Sequence, residues 1–347
     1  MKMDERKQKI LLAIVHDYIA TAEPIGSRTI AKKYKLGVSP ATIRNEMADL
    51  EELGYIEQPH TSAGRVPSER GYRYYVDYLM KRKDLSKEEE EMILQGFEMK
   101  IKDVGHVIHK AGQLISQVTK YTALVMQPQI GISNFKRIQI VAMSPMQAMV
   151  LVVMDNGAVY HRMIDVPESI DETDMETITR VLNDKLHGSS IENIKFTLLK
   201  EIYFELAGHK HVLDLAMELI HESVTLRTED KIYLGGVFNI LNQPEFHNVE
   251  KVKTLLSLLE QEKLLSDLLA GASLDKGVSV RIGSEINRTE VEECSVVSAT
   301  YHVSGLMGTI GVLGPTRMDY ARVVSVVDFM TKSLSRALEH TLLGKGK

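Results

Sequence analysis

SPATIRNEMADLEEL, Ser39 to Leu53, reads as a helix with both ends marked. The Ser39 hydroxyl suits an N-cap, Pro40 suits the first helical position, and Gly54 stands just past the end as a stop. Ile43, Met47 and Leu50, spaced four and three apart, make an inward stripe. Ala41, Arg44, Asn45 and Ala48 fall on or beside the opposite face, with Ser39 and Thr42 at the same N-terminal end. Arginine pairs bidentately with guanine, asparagine with adenine, and alanine methyls meet thymine methyls, so this face can read a DNA major groove. The same pattern also serves an ordinary solvated helix face, and the choice falls to the neighbouring segments.

Upstream, SRTIAKKY (Ser27–Tyr34) is a short helix with Ile30, Ala31 and Tyr34 inward, and KLGV with Gly37 supplies a turn. Downstream, Tyr55-Ile56-Glu57 is a strand candidate, and the loop QPHTSAG (Gln58–Gly64) ends in Arg65-Val66-Pro67. Helix, turn, helix and hairpin make a winged helix, with Thr61, Ser62 and Arg65 as candidate backbone contacts. A hairpin loop without a partner would have the same composition. Residues 5–20 are predicted to pack behind the reading helix through Ile10, Ile14 and Ile19. A helix capped by Ser68 and running to Lys83 places Tyr72, Tyr75, Val76 and Leu79 in the core.

The run PIGSRTIAKKYKLGVSPATIRNEMADLEELGYIEQPHTSAGRVPSERGYRYYVDYL resembles the winged-helix domain of the heat-inducible transcription repressor HrcA family, and GLMGTIGVLGPTRMDY (Gly305–Tyr320) resembles that family's C-terminal region. The resemblance implies a negative regulator of chaperone operons that binds an inverted-repeat operator on double-stranded DNA as a homodimer. It implies further that the GroE chaperonin holds the repressor active and that a GAF-like domain is interrupted by a dimerising segment; no cofactor is expected. A metabolite-gated repressor with a small effector in the GAF-like domain is the alternative.

Composition agrees with a regulator of this kind. The chain has 347 residues, 44% of them hydrophobic, enough for two or three cores, and a net charge of −5. Residues 1–83 hold 15 basic and 11 acidic side chains and are net positive, whereas the remainder is acidic. A basic end on an acidic body approaches a polyanion by that end. The polar start MKMDERKQK lacks the apolar core of a signal peptide, and no apolar run reaches membrane-spanning length, so a cytoplasmic location is expected. The single cysteine, Cys294, reads as a small buried residue. Gly305, Gly308, Gly311 and Gly314 lead into Pro315 without the GK[ST] of a phosphate loop, and read as small residues of a strand pair. His106 and His109, or His209 and His211, lack partners at metal-site spacing, and no GxSxG or HExxH is present. No metal site and no enzyme activity are expected.

Beyond the charged run Lys81–Glu91, taken as a domain boundary, the pattern predicts helices over 92–119 and a meander of about four strands at 121–126, 136–143, 147–154 and 158–164, with the Asp155-Asn156-Gly157 hairpin signal inside it. Helices follow between Pro167 and Leu226, one marked by Val212, Ala216, Leu219 and Ile220, and strands return at 278–282, 295–302 and 305–313. Val323, Val327, Met330, Leu334, Ala337 and Thr341 form a seam that suits either a coiled coil or packing on the chain's own sheet. The fold class is therefore α+β. With the resemblance, the domains are expected to be a winged helix-turn-helix (1–83), a linker helix and the first part of a GAF-like domain (84–165), a mainly helical dimerisation insertion (166–227), the second GAF-like part (228–343) and a tail (344–347).

Overall fold

The computed structural model describes residues 3–61, 63–98, 104–128, 134–155, 159–168, 170–189, 196–206, 208, 212–214, 216–217, 232–246, 248–270, 277–303 and 306–342. Ser62, the Asn156-Gly157 turn, His209, His211, Leu219, Ile220, Gly305 and the tail therefore lie outside the described residues. The chain is a mixed α and β structure in two compact units, one of 1–128, 231–304 and 308–347, the other of 129–230 with 305–307.

The first unit begins with α1 (Glu5–Thr21), α2 (Ser27–Tyr34) and α3 (Pro40–Glu52). Asp4 caps α1 by accepting from the Lys7 amide, and Ala22 ends it in the left-handed region at φ 57°. Ile10, Leu11 and Ile14 of α1, Ile30 of α2 and the α3 stripe Ile43, Met47 and Leu50 share one core. Strands β1 (Ile56–Glu57) and β2 (Val66–Pro67) pair antiparallel, and Ile25 and Arg65 extend the pairing through two backbone hydrogen bonds of 2.9 Å. A Cβ on Gly64 would come within 2.6 Å of the Ile25 backbone, so only glycine permits that third pairing.

The Ser68-capped helix is shorter than the periodicity suggested. α4 spans Glu69–Tyr74 and passes into a π turn over Tyr75–Leu79, and Met80 is extended at ψ 129°. Tyr72 and Tyr75 are buried, as core residues. The acidic run after it is a helix start: Ser86 and Glu89 exchange backbone and side-chain hydrogen bonds at 3.2 and 2.9 Å, opening α5 (Lys87–Glu98) with three glutamates in its first turn. Those carboxylates suit the positive end of the helix, which is why a stretch without an apolar face is structured.

α6 (Val104–Thr119) leads to β3 (Thr122–Met126), whose five residues are all buried. A strand with every residue buried suits the interior of a sheet covered on both faces. β3 accordingly lies between β7 (Ile232–Gly235) and β10 (Leu306–Pro315) in a sheet ordered β7-β3-β10-β9-β8, with β8 at Val278–Ile282 and β9 at Cys294–Val303. It leaves the meander that sequence reading had given it. One face of this sheet (Val125, Val297, Tyr301, Ile310, Val312) packs on α6 and on α11 (Tyr320–Leu342). The other (Leu124, Met126, Val296, Leu313) packs on α9 (Val249–Leu259) and α10 (Glu262–Ala270). Val323, Val327, Met330 and Leu334 are buried against the chain's own sheet, and Val324, Val326 and Leu338 widen that face beyond a coiled-coil seam. Gly308, Gly311 and Gly314 lie in β10, where a Cβ would meet Tyr301, Leu269 and Tyr121 respectively.

The second unit holds the other three strands. β4 (Phe135–Ser144), β5 (Gln147–Met154) and β6 (Val159–Asp165) form their own antiparallel sheet. Ile138, Ile140, Val150 and Val152 on one face pack with Ile178 and Leu182 of α7 (Glu172–Leu186) and Ile202 of α8 (Phe196–Glu205). These strands thus fold with the helices after Pro167, not with the larger sheet. Asn183 covers the open edge of β4, accepting from the Ile138 amide at 2.8 Å and donating to its carbonyl at 2.9 Å.

Candidate nucleic-acid interface

α3 is built to hold one face fixed and leave the other free. Ser39 Oγ accepts the Thr42 amide at 3.1 Å and lies 2.9 Å from the Thr42 hydroxyl, so both polar groups close the helix start. Ile43 and Leu50 are fully buried and Met47 nearly so. Burial of such side chains contributes about 1.5–3 kcal/mol each, which fixes the helix face. On the far side Ala41, Arg44, Asn45 and Ala48 are exposed together with Ser39, while Thr42 is half-buried.

Two acids on α3 are occupied. Lys7 of α1 meets Glu46 at 2.8 Å and Asp49 at 3.0 Å, and Arg6 meets Glu46 at 3.2 Å. Glu46 first and Asp49 second raise the Lys7 ammonium above its ordinary range, as expected for a cation shared by carboxylates. This clamp sets the rotation of α3 about its axis.

The loop after β1 is tied down by Gln58, which donates to the carbonyls of Thr61 at 3.1 Å and Ala63 at 3.0 Å. Thr61 is exposed. Arg65 stands at the base of the hairpin and is paired. Its Nη2 and Nε lie 2.7 and 2.9 Å from Glu51 Oε2 of α3, so the guanidinium binds the hairpin to that helix. The pair joins residues 14 apart in sequence, beyond the helical spacing that would have revealed it.

Among the described residues from Met3 to Val66, Arg28, Lys32, Lys35 and Arg44 are the cations with neither an ion pair nor a side-chain hydrogen bond. All four are exposed on α2, on the turn after it, or on α3. Sequence reading found only Arg44, although the spacing of the other three was visible.

The family model described as HrcA protein C terminal domain matches residues 105–324. The heat-inducible transcription repressor HrcA of Pelotomaculum thermopropionicum is 70% identical over the whole of both chains. The chain belongs to the HrcA family. The repressor of the same name from Desulforamulus reducens is 61% identical over 99% of this chain and all of its own. A crystal structure described as that of a hypothetical protein is 28% identical, with a TM-score of 0.60, and covers 98% of this chain and all of its own. HrcA relatives are named as transcription repressors, and the family is regulatory and not enzymatic.

Within the first unit, the N-terminal helices are held to the five-stranded sheet by polar contacts around buried tyrosines. Arg73 of α4 donates through Nε and Nη2 to the Glu285 carboxylate at 2.9 and 2.7 Å, and through Nη2 to the Val280 carbonyl at 2.6 Å. Glu69 accepts from the Ser284 amide at 3.1 Å and its hydroxyl at 2.5 Å. Arg317 donates to the Ile19 carbonyl at 3.0 Å while paired with Glu245. Tyr72 stacks at a tilt on Tyr320 with ring centres 5.8 Å apart. Cys294 is buried, and burial pushes its thiol up to about 12, so it is no nucleophile. Among the described residues no cluster of metal-ligating side chains occurs, and no helix is long and apolar enough to cross a membrane.

Proposed function

We propose that this protein represses heat-shock (chaperone) operons by binding an inverted-repeat operator in the cytoplasm as a two-fold dimer. Residues 1–83 serve as a winged-helix domain, with α3 in the major groove and Arg44 and Asn45 reading base edges. The observation that carries this reading is the α3 face itself, where four unburied side chains stand on a helix whose other side is locked by Ile43, Met47, Leu50 and the Lys7 clamp. Family membership supports the repressor assignment.

A single short helix reads too few base pairs for genomic specificity, which favours a dimer. Its support lies in the second unit. The sheet face turned away from α7 carries Val141, Met143, Met149, Leu151, Val159 and Met163 across paired strands, and Met143, Val159 and Met163 are 46–55% exposed. This largely apolar face, which also carries Arg137, Gln139 and His161 in the same register, suits a second copy of the chain. The first unit around the five-stranded sheet then acts as the GAF-like body. Heating exposes apolar surface by unfolding or dissociation, and the GroE chaperonin restores the active fold.

Selection of duplexes from random DNA by the full-length chain tests the reading. Enrichment of an inverted repeat, lost in Arg44→Ala and Asn45→Ala while the melting curve is retained, is expected. Failure to enrich any sequence would overturn it. For the thermal step, operator binding and unfolding are followed on one heating ramp with and without chaperonin and its nucleotide. Release of DNA well below the unfolding or dissociation transition, unaffected by chaperonin, would refute that step.

A further inference from the structure

The expected phosphate contact, Arg65, is occupied by Glu51, and α2 offers a different set. Arg28, Lys32 and Lys35 follow one another by four and three residues and so form a single stripe along α2 and its C-cap. The opposite side is fixed in the core by fully buried Ile30, with Ala31 and Tyr34 packed beside it.

The rotation of α2 is set by a further device. Asp17 of α1, only 4% exposed, accepts from Lys33 Nζ at 2.6 Å and from the Tyr34 hydroxyl at 2.7 Å. Burial first and this hydrogen bond second raise the Tyr34 phenol above its ordinary range. Lys33 is thereby drawn off toward Asp17, and the stripe is left facing outward. α2 carries no acidic residue, and three of the four acids of α3 are committed, Glu46 and Asp49 to Arg6 and Lys7 and Glu51 to Arg65, which leaves Glu52 at its C-terminal end without an ion pair among the described residues. α2 packs directly on α3, whose exposed face bears Arg44 and Asn45.

We infer that Arg28, Lys32 and Lys35 are the sequence-independent contacts to the DNA phosphate backbone, and that Arg65 is a positioning residue that holds the hairpin to α3. The inference rests on the proposed DNA-reading role of α3. Cations with no protein partner release condensed counterions on meeting phosphate, whereas a cation already paired with a carboxylate gains little. Three contacts per protomer make six per dimer, so the stripe accounts for about 5 units of the slope of log affinity against log salt. Each single residue accounts for about 2 in a dimer.

The test uses full-length protein, the duplex it selects from a random pool, and a scrambled duplex of equal length, titrated over a series of potassium chloride concentrations. Combined Arg28→Gln, Lys32→Gln and Lys35→Gln is expected to weaken both duplexes by the same factor, to flatten the salt slope by about 5, and to preserve the preference for the selected duplex. A control with the same charge change, Lys253→Gln, Lys263→Gln and Lys332→Gln on exposed helical positions away from α2, should leave the slope as it was. Arg28→Lys should keep the slope, and Arg65→Gln should leave it unchanged while lowering the melting temperature. An unaltered slope in the triple variant, or an equal loss in the control, would overturn the assignment while selection by the wild type leaves the reading of α3 intact. A lower slope in Arg65→Gln would return the wing to the interface and overturn its positioning role. Wild-type protein that prefers no duplex would overturn the reading and the stripe together.

Discussion

Replacing Tyr72 by phenylalanine should stabilise this protein, although it removes a polar group from the interior. Tyr72 is 2% exposed where α4 meets α11, and its hydroxyl has no hydrogen-bond partner among the described residues. A buried polar group left unpaired costs about 1–3 kcal/mol, and the apolar isostere retains the ring contact with Tyr320. Taking the lower half of that range, a gain of about 1–2 kcal/mol in a unit of 150–250 residues raises the melting temperature by about 2–8 °C. Scanning calorimetry measures the shift. Operator release on the same ramp should rise by the same amount if DNA binding fails through unfolding. A second signature lies at high pH. Burial, with the charge of Tyr320 next, pushes the Tyr72 phenol well above its ordinary value of 10.0. A raised folded-state value gives stability that is complete below the unfolded value and declines as pH rises above it. The wild type should therefore lose stability above about pH 10 more steeply than Tyr72→Phe. A lowered melting temperature in Tyr72→Phe would show that the hydroxyl is satisfied in solution, and would refute the argument.

Other substitutions probe the same unit. Glu285→Gln keeps one acceptor oxygen for the Ile282 amide and Arg73 Nη2 but sets an amide N–H against Arg73 Nε and removes the charge. Because the pair is about one-third exposed, the charge part should cost about 0.5–1 kcal/mol at low salt and fade near molar salt, so the loss should shrink as salt rises, and an equal loss at both salts would show that charge is not the cause. Gly235→Ala places a Cβ 2.2 Å from the Gly112 carbonyl oxygen, so α6 must move off β7 at a cost of about 3 kcal/mol, and wild-type melting would contradict that approach. Cys294, with its thiol raised to about 12, should resist iodoacetamide in the native state at pH 8 and react at the rate of unfolding, and rapid labelling of folded protein would refute its burial.

What the sequence determined by itself was local. Ser39, Pro40 and the stripe Ile43, Met47 and Leu50 act within single helical turns, so the ends and the buried face of α3 were legible without any partner. The 278–282 strand and the burial of Cys294 were legible for the same reason. Only the tertiary structure decided where those pieces met. β3 was recognisable as a strand, but its neighbours β7 and β10 lie more than 100 residues away, and a short-range pattern carries no information on which edges close. The Arg73–Glu285 pair spans 212 residues. The commitment of Arg65 to Glu51, and of Lys33 to Asp17, likewise depends on how three helices and a hairpin pack. The sequence lists cations and acids alike, whereas packing decides which are neutralised by a neighbour and which are left to meet an external polyanion.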